Sequence, residues 1–276
     1  MSSRDIPEYK HMILERDEAL MWMTFNRPKE LNAINRPLLA EIFDAFEWLA
    51  DDKESRVIIM RGAGKCFSSG YDISGSAPGE YATENPGIVE DFMRLRRNVN
   101  EILKIWDFPK PVIAAVHGYC LGAPSQMVSV CDLTIVADDA IIGWPAMPLG
   151  GAYISPFWVS LVGIKRAKQM SYDPGSRISG KTAAEWGWAN YSVPADELME
   201  TVRAHALRIA KVPADVLAMK KMALNRVADL DGFRNSVVLG AETNAILHAI
   251  PPVLELREKV SELGMKEAIK QFRAGE

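Results

Sequence analysis

Two short segments combine glycine turns and polar residues in a pattern suited to chemistry on a carbonyl group. The first is Lys65-Cys66-Phe67-Ser68-Ser69-Gly70-Tyr71-Asp72-Ile73, after the apolar run Val57-Ile58-Ile59-Met60. The second is Val116-His117-Gly118-Tyr119-Cys120-Leu121-Gly122-Ala123-Pro124-Ser125-Gln126, after Pro111-Val112-Ile113-Ala114-Ala115. Each reads as a buried strand, a glycine-containing turn and a helix start. Such a turn can aim backbone N–H groups at a negative charge. Two of them, brought together, would polarise one carbonyl oxygen from both sides. The same glycines could instead do no more than close tight turns.

Polarising a carbonyl leaves open what moves a proton. His117 precedes the Gly118 turn, and a hydrogen-bonded structural histidine is the plainer reading of it. Ser125 lacks the glycine two residues later that a nucleophile elbow requires, which argues against a serine hydrolase. The three cysteines, Cys66, Cys120 and Cys131, are odd in number and show no metal-ligand spacing. They read as small buried hydrophobes without a disulfide framework, as expected of a cytoplasmic protein.

The elements that must position these loops show in the hydrophobic pattern. His11 to Phe25 reads as two strands around a polar turn at Arg16-Asp17-Glu18. Asn35 can cap a helix with Pro37 in its first turn, and Leu38, Leu39, Ile42, Phe43, Phe46 and Leu49 recur at helical spacing. Arg56 to Arg61 is a buried strand. Ser74 to Pro86 is rich in Gly, Ser, Pro and acidic residues and reads as a mobile loop. A helix follows through Phe92, Leu95, Val99, Ile102, Leu103 and Trp106, stopped by Pro109 and Pro111. Cys131 to Ala137 is a further buried strand. Continuous apolar strands alternating with helices predict an α/β core with both sheet faces covered. From about Ala195 the pattern is helical, with Val216, Met219, Met222 and Leu224 forming one stripe for the core or a neighbouring subunit.

The 276 residues suffice for one large domain or a domain with an extension. Hydrophobic residues make up 48% and charged residues 25%, the balance of a water-soluble globular protein. The 32 basic and 36 acidic residues give a net charge of −4, which argues against a general nucleic-acid surface. No stretch reads as a membrane span or as the apolar core of a signal peptide. No nucleic-acid or membrane partner is expected.

Taken in order, several motifs resemble the crotonase (enoyl-CoA hydratase/isomerase) superfamily. They are Asn26-Arg27-Pro28 with Leu31-Asn32-Ala33, Phe67-Ser68-Ser69-Gly70-Tyr71-Asp72, and Lys110 to Gly118 with Cys131-Asp132-Leu133. Gly143-Trp144-Pro145, Val162-Gly163, Ala183-Ala184-Glu185-Trp186-Gly187 and Val193-Pro194 follow in the family's order. The resemblance implies a spiral of ββα units over residues 1–194 and a helical trimerisation region over residues 195–276. It implies a homotrimer or a dimer of trimers, a coenzyme A thioester as substrate, and no prosthetic group or metal. The backbone N–H groups of Tyr71 and Ala123 would form the oxyanion hole. Ser69 and Ile73 would hold the adenine, and Lys270, with Lys266 and Arg273, would meet the phosphates. Trp144, Phe157 and Trp158 would line the acyl pocket, with Phe157 and Trp158 reading equally well as ordinary core, and Tyr153 would be a hydrogen-bond donor. Asp72 would order its own loop.

The same resemblance exposes a departure. Hydratases of this family use two glutamates, at the positions that hold Gln126 and Ala146 here. Neither side chain exchanges a proton, so ordinary two-glutamate hydration is not expected. Glu80, Glu84, Glu90 and Asp91, which border the pocket in relatives, are the alternative carboxylates. The implied protein is an acyl-CoA-processing enzyme that stabilises a thioester enolate. A thioester or C–C bond hydrolase and a catalytically silent acyl-CoA binder are the alternatives.

Overall fold

The computed structural model describes residues 5–72 and 87–275. Strands β1 (Met12–Asp17) and β2 (Leu20–Phe25) form an antiparallel hairpin that turns at Glu18. β1 alternates buried and exposed side chains at its start, whereas every residue of β2 is buried. That difference sets β1 at the sheet edge and β2 inside. Helix α1 (Arg36–Asp51) crosses to β3 (Val57–Gly62), which pairs parallel with β2. The Asn35 side chain accepts from Leu38 N at 3.0 Å, so the cap read from sequence is the one that forms.

After α2 (Ile88–Asp107) a unit recurs: a strand for the main sheet, a short strand for a second sheet, then a helix. β4 (Val112–Val116), β5 (Tyr119–Leu121) and α3 (Ala123–Ser129) make one such unit. β6 (Leu133–Ala137), β7 (Ile141–Gly143) and α4 (Ser155–Tyr172) make the next. β8 (Arg177–Ser179), α5 (Gly180–Trp186) and β9 (Tyr191–Val193) finish both sheets. The main sheet runs β1-β2-β3-β4-β6-β9 and the second β5-β7-β8. β2 through β9 in the main sheet are parallel, and such strands need both faces covered. Their cores, such as Ile58, Ile59, Ile113 and Val136, are fully buried. This is the mixed α/β spiral that the sequence implies.

Five helices complete the chain: α6 (Leu198–Ala210), α7 (Ala214–Leu230), α8 (Phe233–Ala249), α9 (Pro251–Leu263) and α10 (Met265–Ala274). α6 packs on β3, β4 and β6, and α8 packs along α2. α7 is inside out. Its buried contact is Lys221, whose Nζ donates to Ile105 O and Lys110 O and pairs with Asp132 at 2.7 Å. Its apolar stripe, including Met219, Met222 and Leu224, is exposed in the single chain and does not pack on the core. Among the described residues no single helix is long and apolar enough to cross a membrane.

Candidate active site

The two glycine loops meet at one cavity of about 370 Å³. Ser68 N donates to Tyr119 O at 2.9 Å and Leu121 N to Ser68 O at 3.2 Å, which stitches the first loop to β5. Ile34 bonds the first loop on the other side, through Gly70 O and Asp72 N. In a parallel bridge of this kind the residue between the two partners, Tyr71, turns its own N–H the opposite way. Ala123 opens α3, so its N–H has no intrahelical carbonyl to bond. Gly122 before it sits at φ +67°, a left-handed conformation that disfavours any side chain. Pro124, lacking an N–H, is tolerated in the first helical turn.

The structure brings Ser69, Tyr71, Ala123, Gln126, Trp144, Ala146 and Tyr153 to this cavity. Gln126 is fully buried; its Nε2 donates to Tyr153 O at 3.3 Å and its Oε1 has no partner among the described residues. Ala146 offers a methyl group. Burial pushes the Tyr153 hydroxyl well above its ordinary pKa, so it stays neutral.

Other candidates lie elsewhere. Phe157 and Trp158 are fully buried and do not line the cavity. Trp158 packs edge-on to Trp144 and tilted on Trp188, while Phe157 meets Phe233, so both serve as core. Lys270 is exposed, pairs with Glu267 on its own helix and does not line the cavity. Ile73, Glu80, Glu84 and the Ser74 to Pro86 loop fall outside the described residues. Asp72 pairs with Arg27 at 2.8 Å, the loop-ordering role expected of it. The His117 ring bonds Gly64 O at 3.0 Å and is not at the cavity. Ser125 is buried, and its hydroxyl donates to Gly122 O at 2.6 Å, closing the helix start rather than facing a substrate. Burial raises the pKa of the Cys66, Cys120 and Cys131 thiols, and none of them reaches the cavity.

The cavity also contains groups not singled out in the sequence. Asn244 and His248 on α8, Arg257 on α9 and Arg177 of β8 line the cavity. His248 Nδ1 meets Asp91 Oδ2 at 2.6 Å, and Arg94 donates to Asp91 Oδ1. His248 Nε2 meets Asn244 Nδ2 at 2.9 Å, and Gly151 N donates to Asn244 Oδ1 at 2.9 Å. Burial raises the Asp91 pKa, but hydrogen bonds from His248 and Arg94 outweigh it and leave the carboxyl below its ordinary value. One signal was present in the sequence: Asn244 and His248 are four residues apart, hence on one helix face.

The comparisons with known proteins agree with this architecture. The family model described as enoyl-CoA hydratase/isomerase matches residues 15–240. A Mycobacterium bovis protein named probable enoyl-CoA hydratase is 32% identical over 221 residues, covering 79% of this chain and 82% of its own. The solved structure of an enoyl-CoA hydratase/isomerase from Novosphingobium aromaticivorans superposes with a TM-score of 0.88 at 37% identity, covering 95% of this chain and 94% of the other. One from Xanthobacter autotrophicus gives 0.88 at 28% identity, covering 98% and 99%. With two glycine loops converging on one cavity, and a family match across most of its length, the chain belongs to the enoyl-CoA hydratase/isomerase family.

Proposed function

We propose that this chain is an acyl-CoA-processing enzyme that polarises a thioester carbonyl between the N–H groups of Tyr71 and Ala123. The observation that carries the reading is the convergence of both loops on a cavity whose usual acid positions hold Gln126 and Ala146. When a proton leaves the α-carbon, or a nucleophile adds to the β-carbon, charge develops on the thioester oxygen. One preplaced donor is worth about 2.7–4 kcal/mol to such a charge. The positive end of α3 adds to it, though a short helix adds little. Enolate formation is therefore supported, while hydration by a glutamate pair is not. Isomerisation and C–C bond chemistry pass through this enolate, whereas thioester hydrolysis adds water to the carbonyl carbon and puts its charge on the same oxygen before the thiolate leaves.

The substrate is an acyl-CoA and the assembly a homotrimer or a dimer of trimers. The exposed apolar stripe of α7, opposite the buried Lys221, supports a neighbouring copy. Three free thiols support a cytoplasmic setting.

Calorimetry with crotonyl-CoA and loss of its enoyl absorbance test the reading together. Binding with hydration far below that of a two-glutamate enzyme is the expected result. Turnover at ordinary hydratase rates would remove the significance of Gln126 and Ala146. Absence of binding by any acyl-CoA would sink the thioester assignment.

A further inference from the structure

We propose that His248 is the proton-transfer residue of this site, taking a proton from the α-carbon of the bound thioester on Nε2, with Asp91 and Asn244 as positioning residues. The inference rests on the thioester reading above and names the group that reading lacks.

Elimination carries the first part. Among the described residues at the cavity there is no aspartate or glutamate. The guanidinium groups of Arg177 and Arg257 offer N–H donors and no acceptor. Tyr153 is held neutral by burial, and the Gln126 amide does not titrate. His248, with its side chain 13% exposed, is the imidazole at the cavity, and imidazole serves as general base more often than any other side chain.

The hydrogen bonds fix its tautomer. Gly151 N–H occupies Asn244 Oδ1, so the Asn244 group facing His248 is the Nδ2 donor. Nε2 therefore carries the lone pair, and the ring proton sits on Nδ1, shared with Asp91. This is the tautomer a base needs on its cavity side. Asp91 itself is buried, 3% exposed, and a buried carboxylate is costly unless paired. Its pairing uses both oxygens, one on His248 and one on Arg94. Around the ring the charged groups are thus Asp91 and Arg94 from α2 and Arg257 from α9, with neutral Tyr153 ahead of α4.

Electrons balance without a further reagent. The Cα–H bond breaks and its pair forms the Cα=C double bond. The carbonyl π pair moves to oxygen, where the Tyr71 and Ala123 N–H groups receive it. The proton forms the Nε2–H bond, and Asp91 stabilises the resulting imidazolium. Return to the α-carbon gives exchange; delivery to the γ-carbon of a 3-enoyl thioester's dienolate gives isomerisation. The Asn244 N–H must first leave the Nε2 lone pair. A neutral hydrogen bond contributes a net of about 0.5–1.5 kcal/mol, small against the 10²–10⁴-fold that a positioned base supplies.

The test is α-proton exchange in D2O, with butyryl-CoA and phenylacetyl-CoA as probes, read by mass spectrometry on the full chain. We expect exchange by the wild type and a loss of roughly 10²–10⁴-fold in His248→Gln. Calorimetric affinity for the same thioesters should hold within about threefold. His248→Ala should recover exchange with added imidazole, which a purely structural ring would not allow. Asp91→Asn should lower exchange and move the His248 ¹⁵N signals toward the Nε2–H tautomer. Wild-type exchange in His248→Gln would overturn this assignment and leave the thioester reading standing. A wild type that binds both thioesters and exchanges neither would overturn both.

Discussion

The donors proposed at Tyr71 and Ala123 are main-chain groups, whereas Asn244 and His248 at the cavity, and Asp91 bonded to His248 from α2, act through side chains. The first wall is locked by strand bridges and the start of α3, and almost any side chain could sit there without removing its donors. The second wall is a relay across two helices, where each group fixes the proton on the next. Main-chain donors stabilise charge at a fixed place. Side-chain relays move a proton, and one substitution resets them. Gln126 and Ala146 line the same cavity and contribute no titratable group.

Outside the His248 substitution, removing a main-chain donor should give the largest effect. Ala123→Pro deletes one N–H at a first-turn position that accepts proline, so the fold should survive. Loss of one oxyanion donor costs about 10²–10³ in rate. The expected outcome is that loss in α-proton exchange, with an unchanged circular dichroism spectrum. A full-rate Ala123→Pro chain would show that the second loop is only a turn.

Restoring acids at Gln126 and Ala146 should come next. Gln126→Glu with Ala146→Glu places carboxylates where hydratases of this family carry them. If the rest of a hydratase site survives, crotonyl-CoA hydration should rise by roughly 10², the low end for acid–base catalysis. No gain in spectrophotometric turnover would mean that the cavity has been rebuilt around the α8 wall.

A smaller effect should come from pressing on the side-chain wall alone. A Cβ added at Gly150 would lie 2.8 Å from Asn244 Oδ1 and 2.9 Å from His248 Nε2. Those atoms are held by their own bonds and have little room to yield. Overpacking of this kind costs about 1–3 kcal/mol. Gly150→Ala should lower the urea midpoint accordingly and slow exchange, leaving the backbone donors in place. Unchanged exchange would detach the relay from the chemistry.

The same division explains what could be read in advance. Backbone-built features follow local rules. The Gly70 and Gly122 turns, the Asn35 cap and the buried strands each show in a window of a few residues. The relay does not, because Asp91 and His248 are 157 positions apart and meet only when α8 lies along α2. Asp91 drew notice as a carboxylate bordering the pocket, but its partner was hidden in a helix read for its apolar pattern. Phe157 and Trp158 misled in the opposite sense: aromatic residues near a pocket in sequence pack inward in three dimensions. The α7 stripe was visible, but its direction was not, since Lys221 takes the inward place.

Acid offers the mildest way to separate the walls, because main-chain N–H donors do not titrate and the Asp91 carboxylate does. Burial raises the Asp91 pKa, but hydrogen bonds from His248 and Arg94 bring the folded value below the ordinary carboxylate range. A group depressed in this way adds stability above its unfolded pKa, near 3.9 for aspartate. That contribution is lost as pH falls through the folded value. Asp91→Asn should therefore be less stable than the wild type near neutrality and should lose less further stability on acidification below about pH 4. Ala123→Pro, which alters no titratable group, should parallel the wild type at every pH. Urea midpoints across this acid range read both curves. Parallel curves for Asp91→Asn and the wild type would mean that Asp91 gains nothing from its two partners, and the side-chain wall would then be no more pH-sensitive than the backbone one.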